Sequence, residues 1–328
     1  MEKEEIKEKL VKAANKTGDG AKAIAGKSKE LVVQSQEALI KTLDQDGNGK
    51  IDSVDIILMA LKMPGVKINR ADFLRKEFFK NHPKEVIDKA IEETPALAGI
   101  PSEEIDKIVD EVIKFERNAV SGISAALGMP GGAAMVATIP ADIAQYYGYM
   151  LRAAQKLLYL YGFPELINGD KDVQLDTETI NCLTVCLGIM NGVAGANNAI
   201  KGLSKALAVG VEKKLINTAL TKGAIYPFVK SVAKWFGVKM TKEVFAGFFK
   251  KSIPVVGGVI GGGLTFATFK PCCYRLKDAL KDTMLSNPKE HKETKEEQEV
   301  FENIKNAVVY DADPEDIHEI ENDNNLDN

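Results

Sequence analysis

The chain has 328 residues, a formal net charge of −4 and a mean hydropathy of −0.13. This length gives ample capacity for a hydrophobic core, in one large domain or two smaller ones. The charged opening Met1–Glu5 excludes a signal peptide at this position, so we expect the protein to face the cytoplasm.

The segment Asp44–Asp55 has the spacing of an EF-hand calcium loop. Gly49 lies at loop position 6, where the loop requires a sharp turn, and oxygen-bearing residues fall at the ligand positions. Asp55 replaces the usual Glu at position 12, and its shorter side chain would lower the Ca²⁺ affinity or favour Mg²⁺. The predicted Ca²⁺ or Mg²⁺ ligands are Asp44, Asp46, Asn48, the carbonyl of Lys50, Asp52 and Asp55.

Apolar residues recur at helical spacing on both sides of this loop. A helix is expected over Ser28–Leu43, and a second one over Ile56–Leu61 that ends near Met63–Gly65. Helix, loop and helix are therefore all present in the sequence. The alternative is a solvated turn of Asp, Asn and Gly between two helices, which binds no metal.

Helical patterns recur along the rest of the chain, and alternating strand patterns are scarce. Asn69 is predicted to cap a helix with Asp72 in its first turn, and further helix starts are predicted at Pro101–Glu104 and Asp176–Glu178. Pro140 fits the first turn of another helix. The sequence therefore predicts an all-α fold.

Three segments contain no ionisable residue, namely Ala119–Ala141, Thr179–Ile200 and Ser252–Phe269. They are rich in Gly, Ala and Ser, and pairs such as Gly188 and Gly192 have the spacing that allows two helices to approach closely. Crossing a bilayer takes about 20 residues. Two interpretations stay open: tightly packed core helices of a soluble protein, or helices that enter or span a membrane after oligomerisation.

Residues 201–251 hold 11 lysines, no arginine, and only Glu212 and Glu243 as acids. Lysines interleaved with aromatic and aliphatic residues are typical of helices on anionic membrane surfaces. Nucleic acid is the weaker partner, since arginine is preferred for bidentate phosphate and base contacts. An ordinary solvated lysine face is the alternative. The lysines predicted to bind an anionic surface are Lys213, Lys214, Lys230, Lys234, Lys250 and Lys251.

Neither the cysteines nor the histidines form a catalytic pattern. Cys182 and Cys186 lie in an apolar stretch, Cys272 and Cys273 are adjacent, and no histidine is near either pair, so we expect buried thiols. No nucleophile elbow or phosphate-binding glycine motif is present. We therefore expect a protein that is not an enzyme.

Five stretches in the middle of the chain form a recognisable pattern within roughly residues 66–285, namely Lys67–Glu77, Ala119–Gly132, Ile139–Tyr147, Gln155–Leu157 and Leu160–Leu166. Together they resemble the EcsC family of bacterial proteins. The resemblance implies a helical protein that is membrane-associated or cytoplasmic. It supplies no enzymatic activity and no catalytic residues.

These observations predict three parts: residues 1–65 with the EF-hand-like loop, 66–286 as an EcsC-like helical domain, and 287–328 as a charged helix and an acidic segment. The leading functional hypothesis is a non-enzymatic, membrane-associated or membrane-inserted protein. It would be a homo-oligomeric membrane effector or pore regulated by a divalent metal or an anionic ligand. The alternative is a soluble helical module that binds a small or lipid-like ligand, and a hydrolase ranks last.

Residues 311–328 contain eight acids and neither lysine nor arginine. This composition predicts disorder unless the basic residues of 201–251 hold the segment.

Overall fold

The computed structural model of the protein describes residues 43–45, 47, 52–127, 134–167, 176–236 and 256–310, with the backbone alone at 123–127, 134–142 and 256–264. Within these ranges the chain forms helices and turns, with one isolated bridge between Gly223 and Val309, so the all-α prediction is confirmed. The helices are α1 (Ser53–Leu61), α2 (Arg70–Phe78), α3 (Lys84–Glu92), α4 (Ser102–Leu127), α5 (Ala134–Leu160), α6 (Thr177–Asn191), α7 (Ala196–Ala208), α8 (Lys213–Thr221), α9 (226–236), α10 (Val256–Lys281) and α11 (Lys295–Lys305).

The helix starts predicted from local sequence are confirmed. Asn69 caps α2, and its side-chain oxygen accepts the N–H of Asp72 at 2.8 Å. Asp176 caps α6 through the N–H of Thr179 at 2.7 Å, and α4 begins at Ser102. Each cap satisfies an amide that has no partner within its own helix.

The long helices α4, α5 and α10 pack together as a bundle. Lys277 and Lys281 of α10 reach Asp110 and Asp106 of α4 at 2.7 and 3.3 Å, so these two helices are antiparallel. Tyr161, just after α5, donates to Asp106 at 2.7 Å. Helices α5 and α10 therefore run in the same direction, and α4 runs against both.

The shorter helices complete one hydrophobic core, which extends from Leu43 to Ile304 and draws on all three predicted parts of the chain. Helix α1 packs on α5 and α6, and α11 packs on α7 and α8. Every residue from Asn181 to Met190 of α6 is buried. A helix that is apolar on all sides needs neighbours on all sides, and here other helices of the chain supply them.

A hydrogen-bonded joint connects the start of α2 to the second half of α5. The buried amide of Gln155 donates to the carbonyl of Val66 at 3.0 Å and accepts the N–H of Ile68 at 3.1 Å. Arg70 is also buried and donates to the carbonyl of Phe163 at 2.9 Å. The joint therefore brings together stretches that carry the EcsC resemblance, and there they hold helices in place.

The uncharged segment 179–200 is not one helix. It is divided between α6 and α7 by a turn in which Gly192 and Gly195 adopt positive φ angles of 76° and 78°. Such angles are costly for residues with a Cβ atom, so the helix ends at the first of these glycines. Neither helix of the pair reaches the length of about 20 residues that crossing a bilayer takes, because α6 has 15 residues and α7 has 13.

The segment 119–141 also belongs to two helices, the end of α4 and the start of α5, with residues 128–133 outside the described ranges. Helix α5 begins at Ala134, so Pro140 lies in its second turn and the prediction that it occupies the first turn was wrong. Beyond the first turn, proline removes one backbone hydrogen bond and its ring crowds the carbonyl four residues earlier.

Gly188 and Gly192 differ in role although they share the predicted close-packing motif. A Cβ at Gly188 would lie 2.4 Å from a methyl group of Val232 in α9, while at Gly192 the nearest atom is 3.8 Å away. Gly188 thus permits close helix packing, and Gly192 is a helix cap.

Gly188→Ala should therefore destabilise the protein by about 1–3 kcal/mol through overpacking. Gly122, on an exposed part of α4, has nothing within 4 Å of its Cβ position. Gly122→Ala should stabilise the protein by up to about 1 kcal/mol, because alanine is the better helix former. Urea denaturation of both variants measures the two changes in the free energy of unfolding. Equal changes would contradict the close contact at Gly188.

Candidate functional site

The described part of the EF-hand-like loop is closed by two carboxylates. Asp52, at loop position 9, caps α1 by accepting the N–H of Val54 at 2.7 Å. Asp55, at position 12, is fully buried and accepts the N–H groups of Gln45 at 2.6 Å and Asp52 at 2.9 Å. This carboxylate therefore joins the beginning of the loop to the start of the helix that follows it.

The remaining loop residues allow a partial test of the metal prediction. Asp44, at position 1, accepts the N–H of Gly47 at 2.8 Å, so its carboxylate is turned toward the loop. Asp46, Asn48 and Lys50 lie outside the described residues. Among the residues that are described, no three His, Cys, Asp or Glu side chains lie close enough to hold a metal ion. The ligand set stays a prediction.

The predicted lysine surface is spread over two helices. Lys213 and Lys214 are exposed in the first turn of α8. Lys230 lies 5.1 Å above the ring of Tyr226 in α9, and Lys234 of the same helix is exposed. Lys250 and Lys251 lie outside the described residues. Anionic-surface binding by this set stays a prediction.

The antiparallel packing of the bundle brings uncharged segments together at one end. Asp106 and Lys281 mark the opposite, charged end, where Tyr161 also lies. Away from that end, residues 119–127 of α4, 134–141 of α5 and 256–269 of α10 contain no ionisable side chain. Tyr146 and Thr268 lie 3.3 Å apart and connect α5 to α10 in this region. We call these three helix segments the uncharged end.

Aromatic rings and basic groups border the uncharged end. The guanidinium of Arg117 is 4.0 Å from the ring centre of Phe266, which is 48% exposed. Lys270 lies 5.1 Å from the ring centre of Tyr274, and Phe115 is 62% exposed. Arg117 is the last charged residue before the first uncharged segment and Lys270 is the first after the third. We call Phe115, Arg117, Phe266 and Lys270 the rim.

The charge-free segments that form the uncharged end are shorter than a bilayer is thick. Residues 119–127 extend over about 13 Å at 1.5 Å per residue, while the hydrocarbon core of a bilayer measures about 30 Å. Within the described ranges, no helix combines the length and the hydropathy that crossing a membrane requires.

On the charged side of the rim, a buried ion cluster holds α4 against α5. Glu116 is fully buried, accepts from Lys156 at 2.6 Å and pairs with Arg152 at 3.1 Å. Arg152 also donates to the carbonyl of Gly65. Further along α4, burial opposes ionisation of Asp110, but hydrogen bonds from Lys277 and Tyr274 outweigh it and hold the pKa of Asp110 below its usual value.

The turn between α6 and α7 borders a cavity of about 530 Å³. Arg275 lines it and donates to the carbonyl of Met190 at 2.9 Å. Lys201 lines it as well and pairs with Asp282 at 2.8 Å. The complete lining is Ile189, Gly192, Val193, Ala194, Gly195, Asn197, Asn198, Lys201, Arg275, Asp278, Ala279 and Thr294.

The described cysteines are buried, and the described histidines pair with carboxylates. All four cysteines are buried free thiols, as predicted, and burial raises the pKa of Cys273. His82 pairs with Glu104 at 3.0 Å. The side chain of His291 is 1% exposed, and its Nε2 lies 2.8 Å from the buried carboxylate of Glu297. His318 lies outside the described residues.

Sequence reasoning did not single out the rim. The sequence contains one local signal for the rim, which is the position of Arg117 and Lys270 next to uncharged segments. The rim itself is not visible in the sequence, because the contact between Arg117 and Phe266 joins residues far apart in the chain. Comparisons with known family models, with characterised proteins and with solved structures found no match to this chain. The resemblance to the EcsC family therefore stays a prediction.

Proposed function

We propose that this protein is a non-enzymatic, membrane-associated helical protein that enters one leaflet of an anionic membrane with its uncharged end. The observation that carries this proposal is the convergence of three charge-free helix segments behind a rim of aromatic and basic residues. Aromatic rings with adjacent cations suit the boundary between lipid headgroups and acyl chains. The insertion depth would be about 13 Å, close to half of a roughly 30 Å hydrocarbon core.

Electrostatic attraction would add to this insertion. Lysines near an anionic membrane surface contribute about 1 kcal/mol each and act over roughly one Debye length. Arg117 and Lys270 border the uncharged end, and α9 carries Lys230 and Lys234. An edge-on ring contact joins Phe236, the last described residue of α9, to Tyr147 of α5, with 5.6 Å between ring centres. Lys230 and Lys234 precede this contact on the same helix.

Sedimentation with lipid vesicles tests the proposal. The full chain should sediment with vesicles rich in phosphatidylglycerol, less with pure phosphatidylcholine, and less again at high salt. Phe266→Ser should weaken the partition about fivefold, because burying a whole Phe is worth roughly 1.5–3 kcal/mol and about half of this ring is exposed.

Phe79→Ser is the matched control, since Phe79 is 60% exposed but lies just after α2, away from the uncharged end. It should leave vesicle binding unchanged. If the protein stays in the supernatant with every vesicle composition, or if both Phe variants bind as the original chain does, insertion through the uncharged end is refuted.

We also propose that the loop 44–55 binds Ca²⁺ or Mg²⁺. The helix α1 begins directly after loop position 9, and the carboxylates at positions 1 and 12 both face the loop backbone. Carboxylates at these loop positions supply the hard oxygen donors that Ca²⁺ and Mg²⁺ prefer, which supports the proposed ligands. The bound ion would supply positive charge that neutralises these carboxylates.

Calorimetric titration tests the loop. The double variant Asp44→Ala/Asp46→Ala should lose the heat of Ca²⁺ and Mg²⁺ binding that the original chain gives. Glu111→Ala, an exposed acid on α4, should keep it. Equal heats from the original chain and the double variant would exclude the loop as the metal site.

The cavity beside α6 and α7 favours a second candidate function, a soluble module for a small anionic ligand. Its volume of about 530 Å³ is in the range of small-molecule sites, and Lys201 and Arg275 line it. In that case the protein does not bind vesicles. Native mass spectrometry of the purified chain then shows a retained small molecule that the variant Arg275→Met lacks. Vesicle binding without any retained molecule excludes this alternative.

A further inference from the structure

The described chain ends beside the lysines of α8. A bridge joins Val309 to Gly223, and the N–H of Tyr310 donates to the carbonyl of Lys222 at 2.9 Å. A Cβ at Gly223 would lie 2.9 Å from the carbonyl of Val308, so glycine permits this close approach. Residues 308–310 are thus fixed to the segment that directly follows α8.

The chain reversal that produces this contact is well defined. Ala307 adopts a left-handed conformation with φ of 52°, and the N–H of Val308 closes the end of α11 on the carbonyl of Asn303 at 3.0 Å. The side chain of Asn303 also reaches the hydroxyl of Tyr310 at 3.3 Å. These bonds direct residue 310 toward α8 and away from the body of α11.

Lysines lie at both ends of α8, two in its first turn and Lys222 directly after its last residue. Lys213, Lys214 and Lys222 are exposed, and within the described part of the chain none of them makes an ion pair. Residues 201–236 contain a single acid, Glu212. The three lysines therefore outnumber the acids of this region, and the surface of α8 carries an excess of positive charge.

The acidic segment 311–328 begins one residue after this anchor. It carries eight acids and no lysine or arginine. Eighteen residues reach up to about 60 Å when extended, whereas the nine residues of α8 measure about 13 Å. Because the segment is tethered beside its target, its effective concentration there is in the millimolar range.

We infer that the acidic segment 311–328 lies on the lysines of α8 and competes there with anionic lipid. Single surface ion pairs are weak and screened by salt, so the contact needs several acids at once and loosens as the ionic strength rises. The contact would reduce non-productive binding to polyanions. It would also make membrane binding depend on release of the acidic segment from α8. The competition with lipid rests on the proposed membrane function, but the contact with α8 does not.

Lysine reactivity tests the contact without a membrane. The full chain is compared with a variant whose eight acids are neutralised, D311N, D313N, E315Q, D316N, E319Q, E321Q, D323N and D327N, and with a chain truncated after Tyr310. Acylation of Lys213, Lys214 and Lys222, followed by mass spectrometry at low salt, should be about fivefold faster in both altered chains. Lys84 and Lys89, exposed on α3, are internal controls and should react equally in all three.

The outcomes separate the two proposals. Equal reactivity of the α8 lysines in all chains, or protection found at Lys289, Lys292 or Lys295 in place of α8, overturns the contact. Faster acylation together with tighter binding to phosphatidylglycerol vesicles supports both the contact and the competition. Faster acylation in a protein that binds no vesicles supports the contact and counts against the membrane function.

Discussion

Glu116→Ala should destabilise the protein by about 3–5 kcal/mol, the usual cost of removing one partner from a buried ion pair. The carboxylate of Glu116 is fully buried, and the side chains of Arg152 and Lys156 are only 22% and 13% exposed. Without Glu116, two cations face each other in a largely dry interface between α4 and α5. Urea denaturation monitored by circular dichroism measures the loss.

Two further variants make this prediction specific. Glu111→Ala, on the exposed face of the same helix, should change stability by less than about 0.5 kcal/mol. The triple variant Glu116→Leu/Arg152→Met/Lys156→Leu should recover most of the loss, because an apolar replacement leaves no unpaired charge. If Glu116→Ala costs no more than Glu111→Ala, the cluster does not hold the two helices together.

Arg70→Met should lower the free energy of unfolding by about 3–5 kcal/mol, because it leaves buried backbone carbonyls without a hydrogen-bond donor. The buried guanidinium donates to Phe163 at 2.9 Å and to Ala90 and Glu93 at 3.1 and 3.3 Å. Ala90 and Glu93 belong to the end of α3, whose last carbonyls have no partner within the helix. The cation also complements the negative end of the helix dipole.

Arg75→Met is the matched control on α2, because the Arg75 side chain is 55% exposed and pairs with exposed Asp72 at 3.7 Å. Its unfolding free energy should stay within about 0.5 kcal/mol of the original chain. Equal midpoints of thermal unfolding for the two Arg variants would show that Arg70 is not a structural cap for α3.

Local signals in the sequence were sufficient for the helices and their caps. Asn69 and Asp176 each bond to an amide three residues further on, so the interaction is contained within a few residues of sequence. At the start of α1 the sequence predicted Asp52 and Asp55 as metal ligands and not as caps, and the structure shows that both carboxylates accept backbone amides there. The all-α class follows from such elements, each of which forms with little help from the rest of the chain.

The packing between helices could not be predicted in this way. Gly188 and Gly192 look equivalent in sequence, yet only Gly188 contacts another helix closely, because Val232 of α9 arrives there through the tertiary fold. Glu116 shares the helical stripe of buried Val109 and Val120, which indicates an inward position. Its partners on α5 become visible only when the two helices are placed side by side.

The rim illustrates the same limit for the candidate site. The three uncharged segments were evident in the sequence, but the sequence could not tell which of them meet. The ion pairs between α4 and α10 set an antiparallel register that gathers 119–127, 134–141 and 256–269 at one end. Residues 181–190, by contrast, are buried in the core. The register between α4 and α10 depends on contacts between residues that are more than 150 positions apart in the sequence.

A fluorophore placed in the uncharged end tests the central claim most directly. Gly122 is exposed with open space around it, and all four native cysteines are buried, so Gly122→Cys can be labelled selectively. Glu111→Cys is the control, about 16 Å closer to the charged end of α4. With phosphatidylglycerol vesicles that carry a quencher on the acyl chains, the account predicts strong quenching at residue 122 and little at residue 111. Quenching that is absent or equal at both residues, in protein that sediments with the vesicles, would contradict insertion of the uncharged end.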